Sequence, residues 1–98
     1  MLTDVDIMLF LQEDKTILLY FTAPWCEPCK AYGPVIERYA KEHPTARFYK
    51  IDTSENPRLA AAYHVMSLPT TILFKKDMAP KALIGTATME KLSNYMGL

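Results

Sequence analysis

Seven consecutive residues, Thr16–Thr22 (T-I-L-L-Y-F-T), constrain this chain most. Side chains alternate between the two sides of a strand, so a strand that is apolar at every inner position must be covered on both faces. The run therefore predicts a central strand with helices packed above and below it. The chain has 98 residues, of which 50% are hydrophobic and 22% charged. That is one domain, spanning residues 1–98, which buries roughly 60–70% of its unfolded surface and needs no staple to hold its core.

The flanking residues alternate regularly between helix and strand patterns. Thr3 can cap a first helix, with Asp4 and Asp6 in its positive first turn and Val5, Met8 and Leu9 at helical spacing. After the strand, Ala23-Pro24-Trp25 leads into a long helix from about Cys26 to Glu42. Its apolar face is Ala31, Tyr32, Val35, Ile36, Tyr39 and Ala40, and Pro34 lies within it. Arg47–Asp52 reads as a second strand, and Asn56-Pro57 as the start of a short helix through Tyr63. Pro69–Lys75 and Lys81–Gly85 are close enough to pair as a hairpin. Thr88 can cap a final helix that turns Leu92, Tyr95 and Met96 inward, with Gly97 just past its end. The order is α-β-α-β-α-β-β-α, which predicts one mixed sheet with a parallel β-α-β opening, an antiparallel hairpin at the end and helices on both faces.

Charge is balanced, with 11 basic and 11 acidic residues, and no run of bases offers a nucleic acid a phosphate-binding stripe. Residues 1–29 hold five acids and only Lys15 as a base. No apolar run, Ile7–Leu11 and Ile17–Phe21 included, exceeds five residues, against the about 20 that a membrane span needs. The N-terminus carries Asp4 and Asp6 where a signal peptide carries Lys or Arg, so a cytoplasmic protein is expected.

The chemistry lies in Trp25-Cys26-Glu27-Pro28-Cys29-Lys30. These are the chain's two cysteines, and a bridge between residues three apart closes almost no loop, so it adds little stability. Spacing i, i+3 at a helix start puts both sulfurs on one side of the first turn. Free N–H groups and the helix dipole there favour a thiolate at Cys26, and only the thiolate attacks a disulfide. Pro28 fits the first turn, where its missing N–H goes unused. Cys29, one turn deeper, would be shielded. The expected division of labour is attack by Cys26 and resolution by Cys29. A buried structural pair and half of a zinc site are the alternatives. Zinc needs two more ligands, and His43 and His64 lie much farther apart than paired zinc-binding histidines do, so no metal is expected and both read as solvated surface.

This stretch resembles the thioredoxin active site W-C-G-P-C-K, with Glu27 where Gly is usual, and Cys-x-x-Cys near a β-α-β pattern is a general sign of that family. Further landmarks follow in the family's order over roughly residues 16–98. Phe21 to Ala23 resembles the approach to the motif, Pro34 the helix proline, and Ile51-Asp52 with Asn56-Pro57 the next strand and helix start. Leu68-Pro69-Thr70 resembles the cis-proline loop and Gly85 the glycine before the last helix. The resemblance implies a thioredoxin-like α/β fold and a protein-disulfide reductase of cell redox homeostasis. It implies a monomeric electron carrier with no bound cofactor, recharged by an NADPH-dependent thioredoxin reductase. It also implies a substrate-binding surface of Trp25, Pro28, Leu68 and Pro69. The backbone of Leu68 would bind an extended substrate segment by strand addition. An ordinary core tryptophan at Trp25 and a plain strand start at Pro69 are the alternatives. Tyr32, Tyr39, Tyr49 and Phe74 read as packing residues.

Three departures stand out. Only Met1-Leu2 precede Thr3, so the family's first edge strand is expected to be missing and the sheet to have four strands. Tyr20 occupies the place, six positions before Cys26, of the family's buried Asp, and Phe48 that of its partner Lys. A phenol is protonated at neutral pH and cannot serve as a base. The apolar pair suits the fold but leaves Cys29 to lose its proton to water or to Glu27. Glu27 also opposes the Cys26 thiolate, which Lys30 and the helix end support. The competing functions are a glutaredoxin-like reductant coupled to glutathione, an oxidase or isomerase of an exporting compartment, and a non-catalytic thioredoxin-like binding module. Trp25 and Lys30 fit thioredoxin better than glutaredoxin, and two intact cysteines speak against the module.

Overall fold

The computed structural model describes Leu9 and residues 16–98. Leu9 is helical; the rest of the expected first helix, and the expected lack of a strand before it, lie outside the described residues. The elements that follow are β1 (Thr16–Thr22), α1 (Glu27–Lys41), β2 (Ala46–Asp52), α2 (Pro57–Ala62), β3 (Thr70–Phe74), β4 (Lys81–Ile84) and α3 (Met89–Met96).

Among the described residues the strands form one mixed four-stranded sheet in the order β2-β1-β3-β4. β1 pairs in parallel with β2 and antiparallel with β3, and β3 pairs antiparallel with β4. β1 is thus central, and Ile17, Leu18, Leu19 and Phe21 are completely buried. Strand alternation divides their side chains between two cores. Ile17, Leu19 and Phe21 pack with Ile51, Ile72, Phe74 and, from α2, Leu59 and Ala60. Leu18 and Tyr20 pack with Tyr32, Ile36 and Tyr39 of α1 and with Leu92 and Met96 of α3. The sheet is covered on both faces, as the unbroken apolar run requires.

The buried stripe of α1 is narrower than its sequence pattern. Cys29, Tyr32, Ile36 and Tyr39 are buried, Val35 and Ala40 are half-buried, and Ala31 is exposed, one helical step round from Tyr32. Tyr95 also differs from expectation. It is exposed, and its hydroxyl donates 2.9 Å to the Ala82 carbonyl rather than entering the core, which leaves Leu92 and Met96 as the buried residues of α3. The Thr88 cap forms, its Oγ1 accepting from the Lys91 N–H at 3.1 Å, and Gly97 closes the helix at φ 68°, a left-handed conformation suited to glycine. α2 starts after Asn56 as expected, but the Asn56 amide donates back to the Asp52 carbonyl instead of capping the helix.

Tyr32, Tyr39 and Thr71 bury hydroxyls with no hydrogen-bond partner among the described residues. Burial pushes both phenols above their ordinary value. At Tyr32 the nearby Thr71 hydroxyl partly offsets this, and Tyr20 adds to it.

Candidate functional site

β1 ends at Thr22, and Ala23-Pro24-Trp25 turns the chain into α1. The Cys26 N–H donates 3.1 Å to the Ala23 carbonyl, which fixes that turn. Cys26 is the N-cap of α1, with extended backbone (φ −84°, ψ 103°), Glu27 follows as the first helical residue, and Pro28 fits the first turn. One turn on, Cys29 reaches back to Cys26. Their Cα atoms are 5.3 Å apart, and the two sulfurs form a disulfide.

Exposure does not distinguish the two cysteines, because each residue is 4% exposed. Cys29 was expected to be the shielded one, yet Cys26 is covered as fully, since both pack with Ala23 and Leu68. What differs is place: Cys26 stands at the open end of the helix and Cys29 one turn inside it. Trp25 is 71% exposed beside them, so it is not a core tryptophan.

The loop before β3 supplies the other wall. The Leu68–Pro69 peptide is cis. Pro69 is buried, and its carbonyl accepts from the Gly85 N–H at 2.8 Å, which ties the loop to the end of β4. Thr70 Oγ1 donates 2.7 Å to the Ser67 carbonyl and braces the loop from within. Leu68 lies outside the β3 ladder, which starts at Thr70.

Lys30 and Glu27 form an ion pair, Nζ to Oε1 2.8 Å, with both side chains largely exposed (64% and 80%). The Lys30 charge is therefore shared with Glu27. Tyr20 lies beneath α1, 1% exposed, and its hydroxyl donates 3.3 Å to the Cys29 carbonyl. Its ring stacks on Phe48 at 6.5 Å and meets Tyr32 edge-on at 5.9 Å. The phenol thus spends its hydrogen bond on the backbone of the resolving turn.

Behind the disulfide lies an open chamber of about 380 Å³. Tyr20 and Thr22 of β1 line it with Lys50 and Asp52 of β2, with Cys26 at the N-cap and with Cys29, Lys30 and Glu37 of α1. Lys50 and Asp52 were not singled out from the sequence. The signal was there: β2 alternates, so Phe48, Lys50 and Asp52 share a face, and the register pairs them with Leu18, Tyr20 and Thr22. Asp52 Oδ1 accepts from the Ser54 N–H at 2.9 Å and the Ser54 hydroxyl at 2.6 Å. That hydroxyl first, with the backbone N–H groups of Ser54 and Glu55 and the Lys50 ammonium, holds the Asp52 carboxyl below its ordinary value against the opposing effect of desolvation. His64 is exposed and His43 is half-buried against the Tyr39 ring. No cluster among the described residues has the makings of a metal site.

Two cysteines that join and separate within one helical turn can exchange electrons with another disulfide and leave the scaffold in place. Chemistry of that kind on this fold makes the chain a thiol–disulfide oxidoreductase. Comparison with known proteins narrows the class. The thioredoxin family model matches residues 4–97. A thioredoxin of Alicyclobacillus acidocaldarius is 39% identical over 92 residues, which cover 93% of this chain and 88% of the relative. The chloroplastic thioredoxin M4 of Arabidopsis thaliana is 39% identical over 83 residues, covering 84% of this chain but 43% of that longer protein. The crystal structure of Fasciola hepatica thioredoxin superposes with a TM-score of 0.79 at 33% identity, covering 95% of this chain and 90% of that one. The chain belongs to the thioredoxin family. Members of this family are protein-disulfide reductases that work through a redox-active disulfide without a bound cofactor, and they typically partner a thioredoxin reductase and disulfide-bonded substrates. No helix among the described residues is long and apolar enough to cross a membrane, and the relatives include chloroplastic proteins.

Proposed function

We propose that this chain, as one domain over residues 1–98, is a monomeric cytoplasmic electron carrier that reduces protein disulfides and is recharged by an NADPH-dependent thioredoxin reductase. Cys26 is the nucleophile. Its thiolate attacks a substrate disulfide, one substrate sulfur leaves, and a mixed disulfide forms. Cys29 then attacks Cys26, the second substrate sulfur leaves, and the Cys26–Cys29 bond carries the oxidation away to the reductase. Trp25 and Pro28 offer the substrate an apolar contact, and Leu68 and Pro69 offer an extended backbone on which it can lie. The observation that carries this reading is the Cys26–Cys29 disulfide at the start of α1, packed against Leu68. Insulin reduction with each electron donor tests it. Turnover is expected with thioredoxin reductase and NADPH and not with glutathione alone; turnover with glutathione alone favours the glutaredoxin-like alternative.

Two tuning roles belong to this reading. Glu27 sets a negative charge beside the nucleophile, so Glu27→Gly is expected to raise the thiolate fraction of reduced Cys26 at neutral pH. The change is less than about tenfold, because the Glu27–Lys30 pair is exposed and screened. Alkylation rate against pH measures it, and a lower rate contradicts the assignment. Tyr20 places a phenol rather than a carboxylate beneath Cys29. Tyr20→Asp is expected to speed disulfide release near neutral pH while lowering stability, since it buries a carboxylate where Tyr20 is 1% exposed. A folded variant with an unchanged or lower rate counts against it.

A further inference from the structure

Cys29 must lose a proton before it attacks Cys26, because only the thiolate is nucleophilic. Tyr20 cannot take that proton at neutral pH. Glu27, the acceptor suggested by the sequence, is 80% exposed, paired with Lys30, and does not line the chamber that borders Cys29. The ionisable groups that line that chamber with Cys29 are Tyr20 from β1, Lys30 and Glu37 from α1, and Lys50 and Asp52 from β2. The lysines are donors. Glu37 is exposed and stands eight residues beyond Cys29, about 12 Å along the helix axis. Asp52 is different. It pairs in register with Thr22, at the end of the sheet where the chain turns into Cys26. It is half-buried, and both Ser54 donors hold Oδ1, which fixes the carboxylate beside the chamber.

We propose that Asp52 is the proton acceptor that frees Cys29 for the resolving step, reached through the solvent that the open chamber admits. The inference rests on the reductase reading above and names the base for its second half. The Cys29 thiol proton passes by way of solvent to the Asp52 carboxylate. The Cys29 sulfur attacks Cys26 Sγ, the Cys26–substrate bond breaks, and its electron pair leaves on the substrate sulfur. That sulfur takes up a proton from solvent while Asp52 returns its own. One disulfide forms and one breaks, with no further oxidant or reductant. Ser54 first, with the Glu55 N–H and Lys50, holds the Asp52 carboxyl below its ordinary value, so it is ionised at neutral pH. The same partners make it a weak base, so its effect is about 3–10-fold, below the range for a base matched to its task.

Stopped-flow release of a chromophoric thiol from the Cys26 mixed disulfide, followed from pH 6 to pH 9, tests the assignment. Asp52→Asn is expected to slow release about 3–10-fold near pH 7. The gap should close towards pH 9, as hydroxide takes over as acceptor of the thiol proton, and Glu37→Gln should match the parent. Asp52→Ser, which keeps an oxygen for Ser54 to donate to, serves if the amide disturbs the strand end. The rate of Cys26 attack, measured with Cys29→Ser also present, should not fall, and this reports an intact fold. Release at pH 7 as fast as the parent or faster overturns the proposal, because loss of a negative charge alone favours the Cys29 thiolate. A loss seen in Glu37→Gln instead also overturns it. A parent protein that forms no mixed disulfide overturns the reductase reading itself.

Discussion

Cys29→Ser is expected to turn the protein into a trap: multiple-turnover disulfide reduction falls by about 10³-fold or more, and a stable Cys26–substrate adduct accumulates. The two cysteines lie one helical turn apart, with Cα atoms 5.3 Å apart and sulfurs in bonding contact, so the second thiol needs no backbone movement to release substrate. A serine hydroxyl at position 29 cannot make that attack. Cys26→Ser should lose turnover to the same degree and trap nothing, because the sulfur at the N-cap makes the first bond. Non-reducing gels and mass spectrometry of trapped species separate the two variants. Binding of a partner protein that survives both substitutions, with no turnover by the parent, would identify a binding module. Capture by Cys26→Ser but not by Cys29→Ser would exchange the two roles.

Phe21→Ala is expected to cost about 3–5 kcal/mol. Phe21 is completely buried in the central strand, paired in register with Ile51 and Thr70. It packs in the core that Leu59 and Ala60 of α2 close from below. β1 is hydrogen-bonded on both sides, so it cannot shift to fill the cavity. Domains of this size have roughly 5–15 kcal/mol in total, and a loss of that size lowers the melting midpoint by more than about 10 °C. Thermal denaturation of the oxidised protein measures it. A shift of only a few degrees would mean that the strand is less constrained than its burial indicates.

Much of the molecule was legible along the chain because the signals are local. The apolar run at Thr16–Thr22 became the central strand, and Thr88 and Gly97 bound the last helix as their chemistry implies. The hairpin, the helix after the cysteines and the mixed sheet appear where periodicity placed them. The errors concern faces rather than elements. Ala31 turned outward and Tyr95 stayed at the surface because a helix's apolar stripe is as wide as its neighbour, and the sequence does not give the neighbour's width. The equal burial of Cys26 and Cys29 depends on Leu68, some forty residues away in sequence.

By itself the sequence determined a chain of alternating helices and strands with a reactive Cys-x-x-Cys pair where a strand gives way to a helix, because hydrophobic period, caps and spacing act over a few residues. Tertiary structure alone decided what stands around that pair. It brought the Leu68–Pro69 loop against the disulfide and turned the Tyr20 hydroxyl to the Cys29 backbone. It also placed Lys50 and Asp52 beside a chamber that Cys29 borders. Those neighbours come from separate strands and loops, and only the register of the sheet sets which of them meet.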